Sequence, residues 1–414
     1  MKILHLLYES RDDHFGIGGV GIRAYEIYKY LKDRHDITLL CKKYPGAKDG
    51  EIEGLRHLFV GTESKSLAKT LLSYAYHSAV FVKQHGEDFD IIIEEFSPAI
   101  PTFLHAFIKK PLILQVQGYT GTLYFKKYNL AYASILYSLE SLRPRFYDNF
   151  IFINAETVKR LLSEDISLDR RDAACPTGNM YPCISRSGVS PDLPSLKRKK
   201  NIEIIPNGIS PELLDISPEE GDYILYIGRI DIYGKGLDIL IKAYEEFYKS
   251  FPDIRLVIAG DGRDRELFKA ELMKLPDNIR RNIELLGWVS GNKKREIIRR
   301  ALYAVFPSRH ETQGIAILEA MACGKAVVVS EIPNFSYITT IRAGISFKTG
   351  DALSLAQAMK DLITSNERKE MAQRGRDWVK DYTWDRIALN YQEFLYKVLE
   401  RYKHLNQIII SNAE

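Results

Sequence analysis

The chain has 414 residues, which predicts two or three domains with ample length for a buried core. Its hydrophobic content of 45% is that of a globular protein and excludes an intrinsically disordered chain. The net charge of +4 comes from residues 1–205, where 28 Lys and Arg face 24 Asp and Glu, and this excess is too small to argue for nucleic-acid binding.

The first half alternates short apolar runs with longer helical patterns. The predicted strands are residues 3–8, 37–41, 91–96, 112–116 and 150–153. Predicted helices between them include residues 20–31 and 67–85. Because uninterrupted apolar strands that alternate with helices form parallel sheets covered on both faces, this half is predicted to be a doubly wound α/β domain.

The same pattern restarts after residue 205. The predicted strands are residues 223–227, 255–258, 283–286, 304–307 and 326–329, with helices near 235–250, 263–274, 291–302 and 314–323. Three amphipathic helices follow residue 350, the last over residues 384–405. We therefore predict a first domain over residues 1–205, a second over 206–385, and a terminal helix over 386–414. Ligand crevices are expected at the carboxyl ends of the strands.

The boundary stretch, residues 172–200, is loop-like and ends in the basic run Lys197-Arg198-Lys199-Lys200, which we interpret as solvated. It contains Cys175 and Cys183, two of only four cysteines, a scattered set that fits a reducing compartment. Cys175 and Cys183 could form a disulfide or contribute to a metal site. No CxxC motif or nearby histidine completes a zinc set, so we expect no metal there.

The amino terminus, MKILHLLY, is too short for the core of a signal peptide and runs into charged residues. No apolar run approaches the length that spans a membrane. We therefore expect a cytoplasmic protein, soluble or peripheral at the inner face of the membrane.

The most informative stretch is residues 307–325, which places Glu311 and Glu319 eight positions apart. Gly314 interrupts the chain just before an apolar helix, so Glu311 lies in the preceding loop and Glu319 inside the helix. A helix start offers free N–H groups and a positive dipole end, which attract phosphate. Two carboxylates beside such a site suit a sugar nucleotide, which has both hydroxyls and phosphates. The alternative is two solvated glutamates.

Two bases follow the first strand of the second domain. Arg229 and Lys235 lie on a turn that contains Gly228, Gly234 and Gly236. Arginine grips phosphate oxygens in a fork and lysine adds a mobile point charge, and their help grows as a leaving diphosphate gains charge. The alternative is two surface bases on a turn.

A glycine pair opens the first helix of the chain. Gly18 and Gly19 follow the first predicted strand, and glycine lets the backbone approach a phosphate closely. A plain tight turn is the alternative.

These segments resemble the retaining glycosyltransferases of family 4, the group 1 transferases. They follow the order of that family from about residue 3 to about residue 385. The matching segments are Gly18-Gly19-Val20, Ile205-Pro206-Asn207-Gly208, Gly228-Arg229 with Lys235-Gly236, Ala259-Gly260-Asp261-Gly262, Leu286-Gly287-Trp288-Val289 and the Glu311–Glu319 pair.

The resemblance implies the GT-B architecture: two Rossmann-like doubly wound parallel-sheet domains facing a central cleft, with the terminal helix crossing back to the first. It implies transfer of a hexose-type sugar from a nucleotide-diphosphate sugar, with retained anomeric configuration and front-face attack by the acceptor. Neither a metal nor a cofactor is expected, because Arg229 and Lys235 supply the positive charge. Asp88-Phe89-Asp90 leads into a strand at its amino end, so we do not interpret it as a metal-binding pair.

The resemblance also assigns roles to residues. Arg229, Lys235 and Glu311 form the catalytic set, with Glu311 contacting the sugar hydroxyls and helping to stabilise positive charge at the anomeric carbon. Glu319 accepts hydrogen bonds from the ribose. The full donor-binding set is Gly18, Gly19, Arg229, Lys235, Gly262, Glu311, Gly314, Ile315, Ala316 and Glu319.

The sequence departs from the family at one acceptor-side position. Where many members have a histidine, this chain has Gln117, followed two positions later by Tyr119. Glutamine both donates and accepts hydrogen bonds with a sugar, but it cannot change charge, which argues against proton transfer there.

Residues 119–147 combine aromatic and basic side chains with a single acidic residue, Glu140. Such a stretch suits the surface of an anionic membrane, and aromatic rings also stack on sugars. A core helix with a solvated basic face is the alternative. The bases are Lys126, Lys127, Arg143 and Arg145, and the aromatic residues are Tyr119, Tyr124, Phe125, Tyr128, Tyr132, Tyr137, Phe146 and Tyr147.

Two other functions compete with a transferase. A sugar-nucleotide 2-epimerase shares the architecture, but its function does not explain the presence of Arg229 with Lys235 and of the Glu311–Glu319 pair. A non-catalytic partner subunit would explain Gln117 but not the intact donor residues. The resemblance implies the class of donor. The sequence does not indicate the base, the sugar or the acceptor, which could be a glycan, a lipid-linked molecule or a small molecule.

Overall fold

A computed structural model describes residues 1–11, 17–162 and 200–411, apart from the side chains at positions 123, 126, 127, 409 and 410. The chain divides into two compact units, one of Met1–Asn207 with Trp384–Glu414 and one of Gly208–Thr383. The predictions for Cys175, Cys183 and the basic run at 197–199, and those for the Lys126 and Lys127 side chains, fall outside the described part.

The first unit contains eight described strands and six helices. The strands are β1 (Lys2–Leu6), β2 (Asp36–Lys42), β3 (Gly50–Ile52), β4 (Leu55–Val60), β5 (Ile91–Glu95), β6 (Leu112–Val116), β7 (Asn149–Phe152) and β8 (Asn201–Ile204). The helices are α1 (Gly19–Tyr28), α2 (Leu67–His85), α3 (Tyr124–Lys127), α4 (Leu130–Leu142), α5 (Ala155–Leu162) and the terminal α14 (Trp384–Ser411).

The strands of this unit lie in the order β3-β4-β2-β1-β5-β6-β7-β8. Every described pair is parallel except β3 with β4, so the predicted parallel sheet carries one antiparallel edge strand. The turn Glu53-Gly54 has positive φ at both residues, 54° and 75°, the geometry of a two-residue hairpin. The apolar pattern did not predict β3, β4 or β8, because each is partly exposed.

The second unit contains six strands. They are β9 (Tyr223–Ile227), β10 (Arg255–Ala259), β11 (Ile283–Gly287), β12 (Tyr303–Phe306), β13 (Val327–Ser330) and β14 (Gly344–Phe347). Its helices are α6 (Leu237–Tyr248), α7 (Arg265–Leu272), α8 (Asp277–Arg280), α9 (Gly291–Arg300), α10 (Ile315–Ala322), α11 (Ser336–Thr340), α12 (Ala352–Thr364) and α13 (Arg368–Val379). The sheet order is β11-β10-β9-β12-β13-β14, all parallel.

The terminal helix α14 packs on the first unit. The Tyr391 ring meets Tyr28 of α1 edge-on, with ring centroids 6.2 Å apart. The fully buried Arg23 of α1 donates to the carbonyls of Ile205 (2.7 Å) and Pro206 (2.6 Å). Burial lowers the pKa of the Arg23 guanidinium to about 10. Within the described residues, no helix combines the length and apolar character needed to cross a bilayer.

The structure corrects the prediction for Arg143, which was assigned to an exposed basic surface. Its side chain is fully buried and forms an ion pair with Glu94 of β5. Arg143 also donates to Thr102 Oγ1 (2.8 Å), and the Tyr147 hydroxyl donates to the other Glu94 oxygen (2.6 Å). A buried charge needs a partner, and Glu94 lies 49 positions away in sequence, so the local pattern could not indicate it.

The rest of the 119–147 stretch divides between core and surface. Tyr124 and Tyr147 are buried, and the buried Glu140 carboxylate accepts from the N–H groups of Thr120 (2.9 Å) and Gly121 (2.6 Å). The exposed apolar side chains, which we call the α4 surface, are Phe125, Tyr128, Leu130, Tyr132, Ile135, Tyr137, Leu142 and Phe146.

The Glu94–Arg143 pair gives a first prediction. Replacing Arg143 by Met leaves the Glu94 carboxylate buried without its partner, which costs about 3–5 kcal/mol in comparable pairs. Guanidinium denaturation of Arg143→Met should show this loss. Arg56→Met removes the same charge from an exposed side chain of β4 and should change the unfolding free energy by less than about 0.5 kcal/mol. Equal losses in the two variants would contradict the assigned role.

Candidate functional site

In the second unit, the chain order reverses between β9 and β12, and parallel sheets bind ligands beyond the strand ends at such a point. Backbone packs on backbone at the carboxyl ends of β9, β10 and β11, on one side of this point. The Gly228 N–H donates to Ala259 O (3.0 Å) and the Gly260 N–H to Gly287 O (2.7 Å). A Cβ on Gly260 would lie 1.8 Å from Gly228 O, so only glycine fits.

The loop that carries Lys235 is pressed against the end of β12. Asp231 Oδ1 accepts from the Gly234 N–H (2.8 Å), and the Asp231 carbonyl accepts from the Lys235 N–H (2.9 Å). Gly236 has φ +68°, and a Cβ on it would lie 2.0 Å from Pro307 O. The loop therefore holds Lys235 directly over the reversal point.

Arg309 fixes this loop, and the sequence analysis missed it. Its guanidinium donates to both oxygens of Asp238 (2.8 and 2.7 Å) and lies 4.4 Å from the centroid of the Tyr233 ring. The backbone N–H of Arg309 donates to the Gly234 carbonyl (3.0 Å). Its position two residues before Glu311 could have indicated a role for Arg309. Its partner Asp238 is 71 positions away, so the sequence did not show what that role is.

The two predicted clamp bases differ in their surroundings. Lys235 Nζ forms an ion pair with Glu311, and both side chains are about three-quarters buried. Arg229 is exposed, and within the described residues its guanidinium has no carboxylate partner. The buried Tyr226 hydroxyl donates to the Arg229 carbonyl (2.8 Å) and so fixes the backbone there. Burial and the nearby Glu311 carboxylate raise the pKa of Tyr226.

The loop before α10 is built to present backbone N–H groups. Asn334 Nδ2 donates to the Glu311 carbonyl (2.6 Å), and Gly314 begins the helix with φ +77°. Gly314, Ile315 and Ala316 are half-exposed residues, and their N–H groups have no hydrogen-bond acceptor among the described residues. Unpaired N–H groups at the positive end of a helix favour an anion.

Glu319 lies inside α10 and forms an ion pair with Lys294, a residue that the sequence alone did not indicate. Lys294 Nζ, from α9, is 2.7 Å from Glu319 Oε1 and 2.6 Å from Oε2. No local signal marks Lys294, because it lies 25 positions before its partner in a basic helix.

Gly262, a predicted donor-binding residue, has a packing role in the structure. A Cβ on it would lie 2.4 Å from Ile230 O. Its N–H donates to Asp261 Oδ1 (2.7 Å), so this N–H already has an acceptor. A donor contact through Gly262 stays a prediction.

The glycine loop of the first unit surrounds a carboxylate. Glu9, which follows β1, accepts from the N–H groups of Gly18 and Gly21 through Oε2, both at 2.8 Å. A Cβ on Gly19 would meet nothing within 4 Å, so that residue lies open. The sequence analysis missed Glu9, which occupies the N–H groups at this helix start.

Gln117 follows β6 and donates hydrogen bonds to a second buried carboxylate, that of Glu95 in β5. Gln117 Nε2 lies 3.0 Å from each Glu95 oxygen, and His5 Nε2 lies 3.2 Å from Oε1. The amide nitrogen therefore faces inward. Tyr119 is half-exposed, and burial raises the pKa of its phenol.

The structure brings Arg229, Lys235, Glu311 and Glu319 into the second unit, and places Gln117 with the glycine loop in the first. Among the residues described, no group of three or more His, Cys, Asp and Glu is placed to hold a metal ion. Asp90 of Asp88-Phe89-Asp90 accepts from the Lys2 N–H (2.8 Å) at the amino end of β5.

The match to a known protein family falls within the second unit. Residues 215–378 match the family model described as glycosyl transferases group 1. The chain is 30% identical over 193 residues to a phosphatidyl-myo-inositol mannosyltransferase of Mycobacterium leprae, covering 44% of this chain and 50% of the relative. An uncharacterized glycosyltransferase of Methanocaldococcus jannaschii is 29% identical over 195 residues, covering 46% and 52%. The chain thus spans about half the length of the curated relatives it matches.

Solved structures match nearly the whole chain. A sucrose-phosphate synthase from Thermosynechococcus elongatus superposes with a TM-score of 0.72 at 16% identity, covering 97% of this chain and 99% of that one. Anabaena HepE in complex with UDP and glucose gives 0.67 at 16%, covering 96% and 100%. The chain therefore has the GT-B fold with two Rossmann-like α/β domains, and its second unit carries a glycosyl transferases group 1 domain, as the sequence resemblance predicts.

Gly236 offers a test of the loop geometry. Gly236→Ala and Gly291→Ala both place a side chain at positive φ (+68° and +54°), but only the first Cβ meets backbone, because nothing lies within 4 Å of the second. The shared strain costs about 1–2 kcal/mol, and overpacking should add about 1–3 kcal/mol to Gly236→Ala alone. Chemical denaturation measures both. Equal losses would mean that the loop moves freely away from Pro307.

Proposed function

We propose that this chain is a retaining glycosyltransferase that moves a hexose-type sugar from a nucleotide-diphosphate sugar to an acceptor without a metal. One observation carries the proposal: an arginine, a lysine and two carboxylates lie in one unit with N–H groups at the start of α10, and neither the arginine side chain nor these N–H groups have a partner in the described part of the chain. HepE, a protein with the same fold, has been solved with UDP and with UDP-glucose, which supports a nucleotide-sugar donor.

The clamp residues act on the leaving group. When the bond between sugar and diphosphate breaks, negative charge grows on the diphosphate. Arg229 offers phosphate oxygens a fork of donors that has no carboxylate partner in the part of the chain that the structure describes, and Lys235 adds a second positive charge. Because Lys235 already pairs with Glu311, an incoming phosphate shares this lysine with the carboxylate. Such fixed charges stabilise the transition state more than the ground state.

The carboxylates act on the hydroxyl groups of the donor. In this proposal, Glu311 accepts hydrogen bonds from the sugar and opposes positive charge at the anomeric carbon. Glu319 accepts from the ribose hydroxyls. Gly314, Ile315 and Ala316 donate backbone N–H groups to the donor, and their half-exposure leaves them accessible.

The acceptor belongs to the first unit in this proposal. Gln117, with its nitrogen held on Glu95, presents its amide oxygen to a hydroxyl group of the acceptor. The proposal includes front-face attack by that hydroxyl, so the anomeric configuration is retained. It does not need a protein nucleophile.

Loss of the clamp should remove turnover. Arg229→Ala and Lys235→Ala should each lower the rate of sugar transfer or of donor hydrolysis by about 10²–10³, the scale for removal of one electrostatic stabiliser. Radiolabelled UDP-, GDP- and ADP-hexoses serve as donors, with EDTA present throughout. Full turnover in both variants would contradict the donor site. Activity that needs added Mg²⁺ would contradict the metal-free mechanism, and nucleotide binding without hydrolysis would favour a non-catalytic subunit.

A lipid-linked acceptor is the class that the α4 surface favours. Eight exposed apolar side chains lie in a stretch whose single acidic residue, Glu140, is buried. Apolar rings and basic residues together suit an anionic bilayer, where each base contributes about 1 kcal/mol. A relative named for transfer to phosphatidyl-myo-inositol supports this class. Peripheral association with a membrane follows from the proposal.

The membrane part has its own test. Leu130 and Ile135 are 75% and 55% exposed on α4, and Leu72 is 64% exposed on α2. Leu130→Glu with Ile135→Glu should abolish pelleting with anionic phosphatidylglycerol vesicles at low salt, while Leu72→Glu should not. Retained pelleting of the α4 variant, or wild-type protein that stays in the supernatant, would point to a water-soluble acceptor.

A further inference from the structure

The Glu319 carboxylate is occupied in the free protein. Lys294 Nζ lies almost equally far from its two oxygens, 2.7 Å from Oε1 and 2.6 Å from Oε2. The contact is a hydrogen bond at Oε1, whereas Oε2 accepts no hydrogen bond within the described part of the chain although the ammonium lies beside it. An ammonium this close to both oxygens leaves no room for a second pair of donors in front of them.

A ribose would use the same two oxygens. Its 2′ and 3′ hydroxyls are neighbours on the ring, so they donate best to two oxygens that face the same way, as the forked donors of arginine do. The outer lone pairs of a carboxylate point in opposite directions, and a vicinal diol cannot reach both. The ammonium and the diol thus compete for one position.

We propose that Lys294 is the resident occupant of the ribose position on Glu319, and that a bound nucleoside diphosphate displaces it. This inference rests on the proposed function, since it needs a nucleotide at Glu319. It makes Lys294 an affinity-determining residue, because the free energy of the ion pair is subtracted from that of nucleotide binding. The same pair re-forms when the nucleotide leaves.

The surroundings allow the exchange. The Lys294 side chain is 30% exposed on the surface of α9, and its flexible stem lets the ammonium return to water. Glu319 is 15% exposed and lies within α10, whose neighbours Leu318 and Ala320 are buried, so the carboxylate stays in place. The ion pair still reaches solvent through Lys294, so a ligand that supplies its own donors to Glu319 can replace the ammonium.

Isothermal titration with UDP, GDP and ADP compares Lys294→Met with Lys293→Met. Lys293 is the adjacent exposed lysine, with no partner among the described residues, so both variants lose one charge from the same helix. Lys294→Met should bind the preferred nucleotide about two- to fivefold more tightly than Lys293→Met, the equivalent of one weak ion pair. Equal or weaker binding would overturn the inference.

Two further comparisons locate the effect. The gain from Lys294→Met should shrink for the 2′-deoxy form of the same nucleotide, and it should vanish when Glu319→Gln is present in both variants. A gain that persists with Glu319→Gln would show that Lys294 acts elsewhere and would overturn the inference. If wild-type protein and both variants bind none of the three nucleotides, the proposed function itself fails, and this inference fails with it.

Discussion

The close packing of backbone on backbone at the reversal point of the second sheet positions everything else in the site. Gly236 lies against the Pro307 carbonyl, and Gly260 lies against the Gly228 carbonyl, at distances that no Cβ could occupy. These approaches fix the turn that bears Arg229 and the loop that bears Lys235. Arg309 then fastens the same loop to Asp238. A rigid frame of this kind holds charged groups in place before a ligand arrives, which is what electrostatic stabilisation of a transition state requires.

The charges of the site are balanced in pairs. Lys235 neutralises Glu311, and Lys294 neutralises Glu319, so no predicted donor carboxylate stands alone. Within the described residues, Arg229 has no carboxylate partner, and it belongs to the same unit as the start of α10. This arginine and the positive end of the helix are therefore the groups that we expect to attract a diphosphate. The pairs also hold both carboxylates in place until hydroxyl groups replace or share their lysines.

The sequence predicted those features that depend on local pattern. The buried strands β6 and β9 have the predicted bounds, and α2 does as well, because continuous apolar runs and helical periodicity mark them. The short or half-buried edge strands β3, β8 and β14 lack such a pattern. Side-chain partners were also beyond reach: Arg143 reads as a surface base until Glu94 is placed beside it by the sheet. Lys294, Arg309 and Glu9 act through residues that are distant in sequence or hidden in a loop, so only the fold reveals them.

The central claim is that the second unit binds a nucleoside diphosphate through its phosphates as well as its ribose. Thermal unfolding in the presence of UDP, GDP and ADP, each beside its own nucleoside at the same concentration, tests it most directly. At 100 times the dissociation constant, the preferred diphosphate should stabilise the protein by about 2.7 kcal/mol, and its nucleoside by clearly less. Equal stabilisation by nucleoside and diphosphate, or none by any of the three diphosphates, would contradict the account.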